Sequence, residues 1–341
     1  MSIQPAHINA PCTGLVAFPA LMYGLLLNAV GFTLYFFSVV LRFVTFFFDP
    51  HNHLLSLIER TIWYSGMPVA AGLILILFDL FVLLPRKRTR VDVRWDPLAN
   101  TDLTVVLTAY NDESSIAMAV KDFRRHPKVK RVIVVDNNSK DRTSKVAREC
   151  GAIVVQEQRQ GYGHCVFRAL TEGANYADTE FTLLCEGDMT FRAYDIDKLL
   201  SFAPHADIVN GTRIVEQLRE LRTQVTTFIY YGNFFIGKLL EAKHMGAGTL
   251  TDVGTTYKLC RNEAIQRLLP LLNREINLEF NAYFLDSALT HGFSVVECPV
   301  TFHARVGVSK GGNVSNWRAF TVGIRMIFGI TLSWRILLWM K

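Results

Sequence analysis

Two long stretches of the chain carry almost no charge. The first runs from Leu15 to Phe48; the second runs from Thr61 to Leu84 and has Asp79 as its one acid. Each exceeds the roughly 20 residues that cross a bilayer as a helix. They predict two transmembrane helices, at about 19–41 and 62–84, against the alternative of buried core helices. A signal peptide fits poorly, because the N-terminus lacks a basic region and the first apolar run is too long. "PRKRTR" (85–90) follows the second run at once. By the positive-inside rule this flank stays in the cytoplasm, which puts residues 1–14 and everything after Arg86 on that side.

Past residues 91–102, which read as a linker with Pro97 and Asn100 as breakers, the pattern changes to short β-branched runs separated by helical periodicity. "LTVVLTA" (103–109), "RVIVVD" (131–136), "AIVVQ" (152–156) and "FTLLC" (181–185) read as strands. Helices are expected around 114–125, 142–150 and 163–175. Continuous apolar strands alternating with helices argue for an α/β fold with a parallel sheet covered on both faces. Ligands bind such sheets at the carboxyl ends of the strands. Polar clusters sit at those ends: "YNDE", "DNNSKDRT" and "EGD".

The second half is less regular. Residues 219–243 read as an aromatic-rich helix that either packs in the core or lies against a membrane. "TDVGTTYKLC" (251–260) and "FSVVECPV" (293–300) read as strands, with helices at 262–270 and 277–290. In the last stretch, Arg318, Arg325 and Arg335 fall within a sector of about 100° at 3.6 residues per turn. Phe320, Met326, Ile327, Ile330, Trp334, Leu337 and Leu338 group opposite. That pattern favours a helix in the membrane interface over residues 313–341 rather than a third span.

Half the residues are hydrophobic and the net charge is +6. No nucleic-acid motif accompanies the basic excess, and the basic residues near the spans suit an anionic membrane surface. The six cysteines are scattered without a C-x-x-C pair. They read as reduced core residues, not as a disulfide frame or zinc site.

Candidate chemistry lies in the strand-end clusters. Glu186 and Asp188 are spaced i, i+2 as the chain leaves a strand, which suits either a metal clamp or a solvated loop. Asp136 ends an apolar strand and, with Asp112, could accept hydrogen bonds from a base or ribose. Asp141 could cap the next helix. Gly161 and Gly163 open a helix, where backbone can approach phosphate closely.

The ordered set "TAYNDE", "VVDNNSKDRT", "GYGHC" and "CEGDMTF" resembles the family 2 glycosyltransferases of the GT-A fold. "GTR" (211–213), "DVGTTYK" (252–258) and "RVGVSK" (305–310) resemble later motifs of the branch that makes dolichol- or polyprenyl-phosphate sugars. The resemblance covers residues 103–312 and implies a Rossmann-like mixed sheet flanked by helices; ahead of it, the apolar runs themselves predict an N-terminal transmembrane hairpin within 15–90. It implies inverting transfer of a hexose from a nucleotide-sugar. Ala109, Tyr110, Asp112, Asp136, Gly161 and Gly163 would hold the nucleotide. Glu186 and Asp188 would hold Mg²⁺ or Mn²⁺, which prefer oxygen ligands shared with substrate phosphates. Arg213, Arg305, Ser309 and Lys310 would face phosphates, with Asp188 and Arg213 at the reacting group.

Three departures stand out. Glu186 replaces the first acid of D-x-D, Thr108 replaces a proline, and Asn137 replaces the second aspartate of D-D-G-S. No Q-x-x-R-W is present, which disfavours a processive synthase. A polyprenyl phosphate is already anionic and needs no base. A hydroxyl acceptor would need one, and Glu279 is the candidate, against a structural role. The expected function is therefore a membrane-bound hexosyltransferase of cell-envelope glycan synthesis. The expected partners are a nucleotide-sugar, a lipid acceptor and the membrane, with no nucleic acid; a homo-oligomer is left open. Direct transfer to a lipid, glycan or other hydroxyl is the alternative. A nucleotidyltransferase and a non-catalytic membrane partner stand behind it.

Overall fold

The structure, a computed structural model, describes residues 17–48, 54–87, 93–308 and 315–339. The chain divides into a helical unit within Cys12–Thr89 and an α/β unit that holds Arg90–Glu241 and Ala247–Lys341.

In the helical unit, α1 (Ala20–Phe48) is one arm of a hairpin. The second arm runs through α2 (Leu55–Tyr64), α3 (Gly66–Phe78), a π-helical turn (Asp79–Leu83) and α4 (Leu84–Lys87). Both arms are long and apolar enough to cross a membrane, and both extend beyond the windows that hydropathy marks. Small residues let the arms close. A Cβ at Gly72 would lie 2.2 Å from Asn28 Nδ2, and one at Gly24 would lie 2.6 Å from Gly72 O. Close backbone approach of this kind supplies the dispersion that holds helices together in lipid. Asp79, in the π-helical turn of the second arm, is fully buried. It accepts from Leu21 N at 2.6 Å in the first turn of α1, and Lys87 Nζ donates to its other oxygen at 2.7 Å.

In the α/β unit, seven strands form one mixed sheet in the order β3-β2-β1-β4-β6-β5-β7. They are β1 (Leu103–Ala109), β2 (Val129–Asp136), β3 (Ile153–Gln156), β4 (Phe181–Glu186), β5 (Ile208–Thr212), β6 (Lys258–Arg261) and β7 (Val295–Pro299). The first four are mutually parallel, as their unbroken apolar runs require. The helices α5 (Ile116–Arg124), α6 (Thr143–Glu149) and α7 (Tyr162–Gly173) follow β1, β2 and β3. β6 runs antiparallel to both β4 and β5, and β7 is parallel to β5. The remaining helices are α8 (Ile196–Phe202), α9 (Thr227–Lys243), α10 (Asn262–Leu268), α11 (Phe280–Thr290), α12 (Asn316–Thr331) and α13 (Ile336–Trp339). The mixed sheet, its flanking helices and the helical hairpin agree with the expected architecture.

Register places the site. Ala109 pairs with Asp136 and Thr108 pairs with Glu186, so β1, β2 and β4 end level. Because β6 runs the other way, Leu184 pairs with Lys258, and the residues just before β6 arrive at this same edge. The ends of β5 and β7 come out there as well.

The structure departs from the sequence pattern in three places. Only Lys258–Arg261 of the expected 251–260 strand is extended into the sheet; Asp252–Tyr257 form a loop whose polar groups bond sideways. The short strand β5 escapes the pattern because Asn210 and Gly211 interrupt its apolar run. The C-terminal stretch is two helices, not one. Trp334 folds back over Gly329 and its Nε1 donates to Asp286 at 2.5 Å. Arg325 then points inward to Glu279, and Trp317, Phe320, Ile324 and Phe328 form the exposed stripe of α12. The described cysteines are free thiols, four of the five buried, in line with reduced core residues.

The hairpin contact predicts a local asymmetry. Gly72→Leu overpacks it and lowers stability by about 1–3 kcal/mol, whereas Leu73→Ala on the exposed side changes little. Thermal unfolding of the purified protein in detergent micelles checks both.

Candidate functional site

Glu186 is the last residue of β4, and Asp188 follows after Gly187. Each carboxylate has one oxygen tied down by a threonine. Thr190 donates to Asp188 Oδ1 from its backbone N at 3.0 Å and from its hydroxyl at 2.6 Å. Thr256 Oγ1 donates to Glu186 Oε1 at 2.8 Å. The other oxygens converge on one cation. Arg305 Nη2 lies 2.9 Å from Asp188 Oδ2 and 3.8 Å from Glu186 Oε2.

Asp188 is 1 % exposed, and its Oδ2 is buried without a hydrogen bond. Burial, then the neighbouring Glu186 charge, push its carboxyl up to about 7. A buried acid pair of this kind demands positive charge. Two free carboxylate oxygens facing a common point, beside room for substrate oxygens, fit a hard divalent cation such as Mg²⁺ or Mn²⁺. The guanidinium of Arg305 supplies the charge at that point. The segment that carries it is laid alongside the acids by His303 N to Thr190 O and Val306 N to Asp188 O, each 3.0 Å.

The loops after β1 and β2 brace one another. Asn111 Oδ1 accepts from Lys140 N at 2.8 Å, Asn111 N donates to Ser139 Oγ at 2.9 Å, and Asp112 N donates to Thr143 Oγ1 at 2.8 Å. Asn111, Asn138 and Met189, one in each loop after β1, β2 and β4, have left-handed backbone, with φ of 52°, 61° and 69°. Asparagine tolerates that region; methionine is strained there. Asp141 accepts from Thr143 N at 2.9 Å, at the start of α6.

Asp136 is spent on its own loop, α6 and β3. It accepts from Ser139 N at 3.0 Å, Gln156 Nε2 at 3.1 Å and Ser144 Oγ. Asn137 Nδ2 donates to Arg159 O and its Oδ1 accepts from Gly161 N, both at 2.8 Å. An aspartate could not make the first of these bonds, which explains the asparagine. Gly161 has φ of +150°, a backbone that other residues rarely adopt. Gly163 is a glycine for packing: a Cβ there would lie 1.8 Å from Ile276 O.

Arg213 follows β5 and is almost fully buried. Asp252 holds it bidentately, from Nε at 2.7 Å and Nη2 at 2.8 Å, and also takes its backbone N at 3.1 Å. Burial alone would raise the Asp252 carboxyl, but the Arg213 charge and its hydrogen bonds carry it below the ordinary range. Lys258, at the start of β6, is buried with its ammonium donating to Thr255 O. Burial pushes it down to about 7.

Part of this set borders a cavity of about 840 Å³; Asp188 does not line it but lines a smaller cavity that shares Glu186, Arg213 and Arg305 with it. Ala109, Tyr110, Asp112, Asn137, Gly161 and Tyr162 line it from the loops and helix start at the sheet edge, together with Glu186, Arg213 and Arg305. An apolar wall comes from α9 and α12, including Ile229, Phe235, Ile236, Phe320, Met326 and Ile327; Arg318 also faces in. Asp136 and Gly163 are not among the lining residues. Neither is Glu279, whose buried carboxylate bonds Arg325 and so ties α12 to α11. Ser309 and Lys310 lie outside the described residues. Sequence reasoning missed Asn281, Thr256 and Arg318 as lining or bracing groups, because nothing local marks a residue whose partner is 70 or more positions away.

Residues 104–269 match the model of Glycosyl transferase family 2. The match spans the acid pair, Arg213 and the loop before β6. A dolichyl-phosphate hexose transferase of Haloferax volcanii is 27% identical over 210 residues, covering 61% of this chain and 86% of that protein. The low-salt glycan biosynthesis hexosyltransferase Agl6 of the same organism is 25% identical over 210 residues, covering 60% and 48%. Among solved structures, glucosyl-3-phosphoglycerate synthase from Mycobacterium tuberculosis, in complex with Mn²⁺, UDP-glucose and phosphoglyceric acid, aligns over 67% of this chain and 79% of that one. Its TM-score is 0.47 and its sequence identity is 15%.

Two stability effects follow from the buried charges. Asp252→Ala leaves Arg213 buried without its partner and costs about 3–5 kcal/mol, read as a lower melting temperature. Lys258 is neutral in the folded protein above about 7 and protonated in the unfolded chain up to about 10.5. The unfolded state therefore binds more protons in that window, and stability rises with pH across it. Lys258→Met removes this part of the rise, measured by comparing melting curves from pH 7 to 10.

Proposed function

We propose that this chain, a glycosyltransferase built on a family 2 glycosyltransferase domain, transfers a hexose from a nucleotide-sugar to a polyprenyl phosphate at a membrane surface. The carrying observation is the cavity, whose lining combines polar strand-end groups, three arginines and an apolar wall. Ala109, Tyr110, Asp112, Asn137 and Gly161 suit the nucleoside. Arg213 and Arg305 suit the diphosphate, and Arg318 with Arg305 suits the acceptor phosphate. The wall from α9 and α12 suits the first isoprene units. Its outer residues Phe228, Tyr231, Phe320 and Ile324 are exposed as well as lining, so the apolar groove opens outward. The relative named as a dolichyl-phosphate hexose transferase supports a lipid phosphate as acceptor.

The chemistry follows from the charges. An acceptor phosphate oxygen attacks the anomeric carbon, and the bond from that carbon to the diphosphate breaks on the opposite face. The nucleoside diphosphate leaves with the electron pair, and the configuration inverts. The attacking oxygen is already anionic, so no proton has to be removed. Among the described residues lining the cavity the carboxylates are Asp112 and Glu186, and no histidine is present. Glu279, the candidate base, is committed to Arg325 and does not line the cavity, which favours the phosphate acceptor. Glu186 and Asp188 would hold Mg²⁺ or Mn²⁺, which supplies charge to the departing diphosphate. The helical hairpin and the exposed stripe of α12 would keep the site at the lipid surface, and Arg86 and Lys87 favour a cytoplasmic side for the α/β unit by the positive-inside rule.

The test uses purified protein, a panel of radiolabelled nucleotide-sugars and polyprenyl phosphate in mixed micelles. The expected product is a lipid-linked sugar released by mild acid; an acid-stable glycoside overturns the phosphate acceptor. Chelation with EDTA abolishes transfer and Mg²⁺ or Mn²⁺ restores it. Asp188→Ala lowers kcat on the order of 100-fold or more. Wild-type-like turnover in that variant overturns the metal assignment.

A further inference from the structure

Glu186 stands at the end of a chain of hydrogen bonds that reaches it from three other parts of the fold. Thr256 Oγ1 donates to Glu186 Oε1 at 2.8 Å. Tyr162 OH lies 2.6 Å from Thr256 Oγ1, and Asn281 Nδ2 donates to Tyr162 OH at 2.8 Å. Lys258 Nζ lies 3.5 Å from Asn281 Oδ1. The ends fix the direction of every bond. A carboxylate only accepts, so the single Thr256 proton goes to Glu186, and Thr256 must then accept from Tyr162. Tyr162 spends its proton there and must accept from the Asn281 amide, whose N–H groups only donate. Burial and the nearby Glu186 charge push the Tyr162 hydroxyl well up, so it keeps the proton it donates.

We infer that Tyr162, Thr256 and Asn281 are positioning residues that fix Glu186 as a one-oxygen ligand for the divalent cation. Glutamate carries one more rotatable bond than aspartate and would otherwise swing. Tying Oε1 leaves Oε2 alone to face the point where Asp188 Oδ2 also converges, now taken by Arg305. Each relay member sits on a different element: Tyr162 opens α7, Thr256 lies in the loop before β6, and Asn281 is on α11. The longer acid at this position is thereby matched by a partner across the sheet edge. Hydrogen bonds behind a metal ligand commonly set affinity by about 10–100-fold. The inference rests on the proposed metal role of Glu186 and Asp188.

The experiment is an electron paramagnetic resonance titration of Mn²⁺ into the full chain in detergent, with and without inorganic pyrophosphate. Thr256→Val, close to isosteric, weakens Mn²⁺ binding about tenfold or more, and Thr256→Ser restores it. Tyr162→Phe removes one oxygen, gives a smaller loss, and decides the matter if Thr256→Val does not fold. In a Glu186→Asp background the shorter acid no longer reaches Thr256, so Thr256→Val adds no further loss. Mn²⁺ affinity within twofold of wild type in both Thr256→Val and Tyr162→Phe overturns the relay alone. So does an equal extra loss in the Glu186→Asp background. A wild-type protein that takes up no Mn²⁺ overturns the relay and the metal reading together.

Discussion

The site is organised by the need to neutralise two acids that the fold holds partly or wholly out of water. Asp188 is buried and Glu186 lies half-buried beside it, and each gives one oxygen to a threonine. The two oxygens left over cannot share a small space without positive charge between them. Arg305 supplies that charge, and in doing so draws the chain after β7 across the end of β4. A divalent cation and a diphosphate would satisfy the same requirement with the guanidinium displaced toward phosphate oxygens. Much of the surrounding architecture reads as support for this one electrostatic demand.

That support comes from strand register. Four parallel strands would deliver only the loops after β1, β2, β3 and β4 to the edge. Reversing β6 brings in the residues that precede a strand, so Thr256 meets Glu186 from the opposite chain direction. The same reversal lets Asp252 clasp Arg213, which leaves β5 at that edge. The pair is costly to bury, yet it fixes a guanidinium in one orientation, and a loose arginine would have to be ordered on binding. The cavity therefore carries preset cationic groups in its lining.

The parallel half of the fold was legible in the sequence. Continuous apolar runs ending in acids and amides announce buried strands with a polar edge, and all four were placed to within two residues of their ends. The acid pair, Arg213 and Arg305 likewise stand out by type and order. The strand β5 was hidden by its asparagine and glycine, and β6 was over-extended because threonine, tyrosine and valine favour strands whether or not a ladder is present. Asp136, Gly163 and Glu279 show a different limit. Their letters suit a ligand, but Asp136 spends its oxygens on its own loop and on α6 and β3, Gly163 makes room for Ile276 O, and Glu279 pairs with Arg325. Which side of a residue faces a cavity depends on packing partners that local pattern does not encode.

Asp79 carries a consequence for how the hairpin is made. The first turn of α1 has a backbone donor, Leu21 N, whose acceptor lies 58 residues further along the chain. The arm synthesised first therefore stays incomplete at its start until the second arm has been translated through its π-helical turn. Lys87, later still, then closes the charge on Asp79. Assembly of the pair is thus timed by the end of the second arm, and a ribosome stalled before residue 79 leaves the first helix without its cap.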